Sequence, residues 1–149
     1  MTRKEKIHRH SLDIINHKIS LLQQILADLK ESGSNETKST AGDEHETALA
    51  MLQIEQANTR GQLEDVLQKK AALLKINPAL SAEQIVNGSL VKTNSGYLFI
   101  SVALGKIKTE GIEVITISPQ SPLGEKVMGL RKGEATEVNG NRFEILNID

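Results

Sequence analysis

Apolar residues in the first part of the chain recur in steps of three and four: Leu12, Ile15, Ile19, Leu22, Leu26 and Leu29. That spacing keeps them on one side of an α-helix and predicts the seam of a coiled coil. Ile14, Leu21 and Ile25 widen the stripe, so the helix has apolar surface for more than its partner. The run from Glu31 to Gly42 is polar, small and rich in turn formers, and predicts the stop of this helix. A second helix is expected from about Asp43 to Leu74, with Leu49, Leu52, Gln56, Thr59, Leu63, Val66, Lys70 and Leu73 on its seam. The polar Gln56 and Thr59 should loosen the pairing there, and Gly61 costs about 1 kcal/mol relative to alanine. Two helices joined by a short polar segment should fold back as an antiparallel hairpin. At 1.5 Å per residue the second helix would be about 45–50 Å long, enough to project beyond a globule of roughly 70 residues.

The period then changes. Asn77-Pro78 ends the second helix, because the residue before proline is pushed out of the helical region. Pro78 to Glu83 reads as a linker. Ser89 to Thr93 and Gly96 to Val102 flank the turn signal Asn94-Ser95. Gly111 to Ile117 alternates apolar and polar residues, as does Asn141 to Ile148 in part, and Asn139-Gly140-Asn141 marks a second turn. Pro122 to Leu130 suits a short helix. The expected fold class is α+β. An antiparallel coiled-coil hairpin with an acidic tip occupies 1–77, and a mostly antiparallel β-rich domain with one short helix occupies 84–149. There is no internal repeat.

Composition sharpens this picture at a few points. Tyr97, Phe99 and Phe143 are the three aromatic residues, all in the second half, so the first half must pack on aliphatic side chains. A net charge of −1 provides no global basic field for nucleic acid. The absence of cysteine excludes disulfides, thiolate metal sites and thiol nucleophiles. The charged start, Met1 to Lys6, lacks the apolar core of a secretory signal, and no apolar run approaches membrane-spanning length, so the cytoplasm is the default location. No phosphate-binding glycine loop, nucleophile elbow or zinc-protease motif is present, and no enzyme activity of its own is expected.

The candidate chemistry lies at Gly42-Asp43-Glu44-His45-Glu46-Thr47. Asp43 and Glu46 are three apart and face the same side of a first helical turn. Clustered carboxylates suit a shared magnesium ion, which prefers hard oxygen ligands and keeps open positions. Asp43 followed three residues later by Glu46 is also a capping-box pattern, acids in a first turn favour the helix dipole, and on the residues alone this capping reading comes first. No metal is expected to bind unaided. His10, Asp13 and His17 have metal-ligand spacing but fall on the outer face, where a solvated polar surface is the expected reading. His45 is assigned no role. Arg3, Lys4, Lys6 and Arg9 are expected to be a frayed, solvated basic start.

Two stretches resemble the GreA/GreB transcript-cleavage factors, and the resemblance covers nearly the whole chain. One is Gly42-Asp43-Glu44-His45-Glu46 with Glu55-Gln56 further down the helix. The other, more specific, is Ile117-Ser118-Pro119-Gln120-Ser121-Pro122-Leu123-Gly124, then Gly129-Leu130-Arg131-Lys132-Gly133-Glu134. The closing Phe143-Glu144-Ile145-Leu146-Asn147-Ile148 is similar to the family's last strand. The resemblance implies an antiparallel coiled coil followed by an FKBP-like domain. It implies binding of bacterial RNA polymerase through its secondary channel and stimulated cleavage of backtracked RNA, with only indirect contact to the RNA and DNA of the elongation complex. Asp43 and Glu46, with Glu44 beside them, would then help hold magnesium at the polymerase active centre. Ser121, Pro122 and Leu123 would dock on the polymerase. Three departures stand out: the basic start, the compressed Lys106 to Glu110 segment where the family has an acid-rich turn, and Ala48-Leu49-Ala50 after the tip. Two rival expectations remain: a channel-binding modulator or inhibitor of the same fold, and a coiled-coil adaptor that dimerises through Leu12, Ile15, Ile19 and Leu22. The expected state is a monomer or weak dimer.

Overall fold

The computed structural model describes residues 1–37 and 42–149, with side chains described at 1–34 and 46–149. Helix α1 spans Arg3–Thr37 and α2 spans Gly42–Leu74. Strands β1 (Leu90–Thr93), β2 (Gly96–Ile100), β3 (Gly105–Thr109) and β4 (Ile112–Ile117) follow, then α3 (Pro122–Val127), β5 (Ala135–Val138) and β6 (Asn141–Ile148). By packing the chain divides into Ile14–Lys70 and a second unit of Met1–Asp13 with Ala71–Asp149.

Within 14–70 the two helices pair antiparallel. A recess lined by Lys30, Gly33, Leu49, Leu52 and Gln56 joins late α1 to early α2, while a groove joins Lys18 and Leu22 to Gln62 and Lys69. The seam is filled as its spacing requires: Ile15, Ile19 and Val66 are buried, and Leu22, Leu26, Leu29 and Leu63 are half-buried. Gln56, beside the recess, is half-buried, as are the apolar seam residues Leu52 and Leu63, and the expected loosening is absent at Thr59. Thr59 is buried because its hydroxyl donates to the Glu55 carbonyl at 2.8 Å, which removes the cost of enclosing it. Helix α1 also runs past its expected stop at Glu31, through Gly33 and Ser34 to Thr37. Packing overrides a propensity penalty of about 1 kcal/mol per glycine, and a Cβ on Gly33 would lie 3.9 Å from the Gln56 amide.

The other unit is built on a six-stranded sheet of order β3-β4-β2-β1-β6-β5. β2 and β4 are parallel, and the remaining neighbours are antiparallel. Ile85, Val91, Leu98, Ile100, Val127 and Ile145 form the core on the α3 side, with Ile117, Leu123 and Leu130 packed against it. On the opposite face Phe99 meets the His8 ring of α1 edge-on, with centroids 6.4 Å apart. Burial on both faces explains why Leu98-Phe99-Ile100 is continuously apolar instead of alternating. β3 and β5 lie at the two edges and were not expected from the sequence. β3 carries a single buried residue, Ile107, between lysines, and Lys106 and Lys108 both reach Glu113 on β4 at 3.6 Å. Lysines along an edge discourage pairing with another chain. Glu110 and Gly111 both have positive φ (55° and 73°), a two-residue turn of the kind that matches strand twist, and Asn139-Gly140 repeats it between β5 and β6.

Candidate functional site

The expected acidic tip is divided by what is described. Residues 38–41 lie outside the described residues, as do the side chains of Asp43, Glu44 and His45. Their backbone at 42–45 is helical, which places Asp43 and Glu46 three apart in the first turn of α2. Glu46 is exposed. Negative charge at this end of a helix is favourable whatever else the carboxylates do. Among the described residues no three potential ligands cluster to hold a metal, so His10, Asp13 and His17 form no site.

The segment Ile117 to Leu130 is more fully built. Ser121 has extended backbone (φ −65°, ψ 158°) and caps α3: its Oγ accepts from the Gly124 N–H at 3.0 Å and donates to the Ser118 carbonyl at 2.7 Å. Pro122 occupies the first helical turn, where no N–H is needed. Leu123 packs against the core. Gly124 is obligatory, since a Cβ there would lie 2.1 Å from the Ser118 carbonyl oxygen. Of the three docking candidates, Ser121 has its hydroxyl engaged in the cap and Leu123 is half-buried, leaving Pro122 as the exposed one. The turn that follows is locked by Ile85, whose N–H donates to Leu130 and whose carbonyl accepts from Gly129, both at 2.8 Å.

The basic start is not a frayed end. Thr2 and Glu5 form a reciprocal capping box: the Glu5 N–H donates to Thr2 Oγ1 at 3.2 Å, and the Thr2 N–H donates to Glu5 Oε1 at 3.3 Å. The Thr2 amide first, and its hydroxyl next, hold the Glu5 carboxyl below its ordinary range. Three of the four basic residues then tie the start of α1 to the sheet-containing unit. Arg3 Nη1 donates to the Tyr97 hydroxyl at 3.0 Å with its guanidinium 5.6 Å from the ring centre. Lys6 pairs with Glu110 at 3.4 Å, and the buried Lys4 ammonium donates to the Leu80 carbonyl. His8 is buried too, with Nε2 2.7 Å from the Leu73 carbonyl. The positively charged side chains that looked solvated are thus anchors. The signal that reveals them is the Thr2-x-x-Glu5 pattern ahead of Ile7.

No protein-family profile matches the chain, and no curated protein does. Solved structures similar to it include two of the same factor. The crystal structure of GreA factor homolog 1 (Gfh1) of Thermus thermophilus matches at 17% identity, over 97% of this chain and 93% of that one, with a TM-score of 0.34. A structure of the transcription factor Gfh1 matches at 20% identity, over 96% of this chain and 91% of that one, with a TM-score of 0.32.

One feature of 14–70 lay only partly in the sequence. Leu21, Leu22 and Ile25 of α1 face Asn58, Gly61 and Val66 of α2 across an open groove of about 860 Å³. Leu21 and Ile25 remain 50% and 45% exposed, in keeping with the widened stripe. Gly61 lines the groove, and a Cβ there would touch nothing within 4 Å.

Proposed function

We propose that this protein binds bacterial RNA polymerase, with its helical hairpin entering the secondary channel, and stimulates cleavage of backtracked RNA. The observation that carries the reading is the acidic first turn, Asp43 and Glu46, at the junction of helices of 35 and 33 residues. Support also comes from the Ser-Pro segment. Ser118, Ser121, Pro122 and Gly124, four of the positions that resemble the Gre pattern, build the cap of α3. Asp43 and Glu46, on one helical face, are the oxygen donors a magnesium ion at the polymerase centre would meet, with Glu44 next to them. The ion would supply Lewis-acid chemistry there, and the protein contributes ligands and their placement. Pro122 is the exposed docking candidate, with Ser121 and Leu123 fixing its position. On this reading the protein has no enzyme activity alone and works in the cytoplasm.

The test is an assay on stalled elongation complexes. Asp43→Ala with Glu46→Ala should abolish stimulated cleavage while co-sedimentation with polymerase persists. Unchanged cleavage in the double variant removes the tip's role, and absence of co-sedimentation in the parent chain ends the polymerase reading altogether.

One observation favours a second reading, a channel-binding modulator without cleavage. The acid-rich turn of the family is reduced here to Glu110, and Glu110 is paired with Lys6 of the same chain. The same assay separates the two, because a modulator slows synthesis and releases no cleaved RNA.

A further inference from the structure

A cavity of about 370 Å³ lies beside the start of α1 and the segment after α2, lined by Lys4, Lys75, Asn77, Leu80, Asn87 and Ser89 among others. Lys4 is only 6% exposed. An ammonium carries three donors, and among the described residues the Leu80 carbonyl is the one hydrogen-bond partner of Lys4 Nζ. Burial lowers the Lys4 pKa, and the Asp149 carboxylate acts in the opposite direction. A buried cation with donors unspent is costly unless something supplies acceptors.

The remaining walls are also rich in donors. Asn77 Oδ1 already accepts from the Ala79 N–H at 3.0 Å, which leaves the Asn77 side-chain NH₂ as a donor. Ser89 Oγ accepts from the Val86 N–H at 3.0 Å and keeps its own proton to give. Lys75 adds a second positive charge. Gly88, at φ 95°, lets the backbone close against Ile76, since a Cβ would come within 2.8 Å of Ile76 Cγ2. The volume is in the range of small-molecule sites, roughly 300–1,000 Å³.

We propose that this cavity binds a phosphate group, held by the ammonium groups of Lys4 and Lys75 and by the Asn77 and Ser89 donors. The two ammonium groups outnumber the Asp149 carboxylate that acts on Lys4, and the balance favours an anion with several acceptor oxygens. The space exceeds one phosphate, so a small phosphate ester fits as well as the free ion.

The experiment titrates the 149-residue chain with inorganic phosphate and, separately, phenyl phosphate, with ionic strength held constant by chloride. Backbone ¹H–¹⁵N shifts report the site. Saturable shifts are expected at Lys4, Leu80, Gly88 and Ser89. Lys4→Met should weaken binding at least tenfold and the exposed-site variant Lys75→Met several-fold. Tighter binding of the ester assigns the site to small phosphorylated molecules, and equal binding assigns it to free phosphate. Non-saturable shifts, shifts centred elsewhere, or wild-type binding in Lys75→Met together with any folded Lys4→Met overturn the proposal.

Discussion

Lys4 shows how one residue departs from its sequence-level description. A lysine in a charged run at a helix start reads as solvated, yet here it is buried with its pKa pushed below the ordinary 10.5 by desolvation. Between the lowered folded-state value and 10.5, the unfolded chain holds the proton and the folded one does not. Stability should therefore rise with pH across that window. In Lys4→Met the rise should disappear, as checked by urea midpoints at several alkaline pH values. At neutral pH the substitution should be neutral or stabilising, because it removes a buried charge and leaves only the carbonyl of the exposed Leu80 to be taken by water. Ser101 gives a second case. It is buried, and its Oγ has no hydrogen-bond partner among the described residues. An unsatisfied buried hydroxyl is a penalty, so Ser101→Ala should raise stability by about 1 kcal/mol, read from chemical denaturation.

At the scale of elements, strong periodicity was legible and weak edges were not. The bounds expected for α2, β1 and β6 lie within a residue of those observed, because turn or stop signals mark them: Asn77-Pro78 after α2, Asn94-Ser95 after β1 and Asn139-Gly140 before β6. β3 and β5 escaped because an edge strand needs only one inward residue: Ile107 stands alone in β3, and β5 has only Ala135 and Val138 as apolar positions. The Glu110-Gly111 turn escaped because Glu, unlike Asn or Asp, rarely accepts positive φ. In the candidate site, the Ser-Pro motif was visible as a pattern, but its capping function needed the Ser118 carbonyl, which no sequence displays. Ser121→Ala should cost about 1 kcal/mol through the lost cap. Gly124→Ala should cost more, about 1–3 kcal/mol, because the new methyl meets a backbone oxygen. Gly61→Ala, in open space on α2, should instead stabilise by about 1 kcal/mol. Thermal unfolding of the three variants should therefore rank them Gly61→Ala, Ser121→Ala, Gly124→Ala from most to least stable.

For the molecule as a whole, the helical seam decides between self-association and independence. Ile15 and Ile19 are buried within the single chain, which disfavours their use in pairing with another copy. A dimer through Leu12, Ile15, Ile19 and Leu22 would first have to uncover its two central residues. Sedimentation equilibrium should find a monomer at micromolar concentration, and Leu21→Gln with Ile25→Gln should leave both mass and stability nearly unchanged. The pairing of β1 with β6 has a further effect, on biosynthesis. Leu90 and Asp149 exchange backbone hydrogen bonds at 3.1 and 2.8 Å, and β6 has a strand on either side of it in the sheet. The ribosome delivers β6 after β1 to β5, and until it emerges β1 has an open flank and β5 no strand partner. Nascent chains arrested before Asn141 should thus be protease-sensitive in the β region while α1 and α2 have already been made.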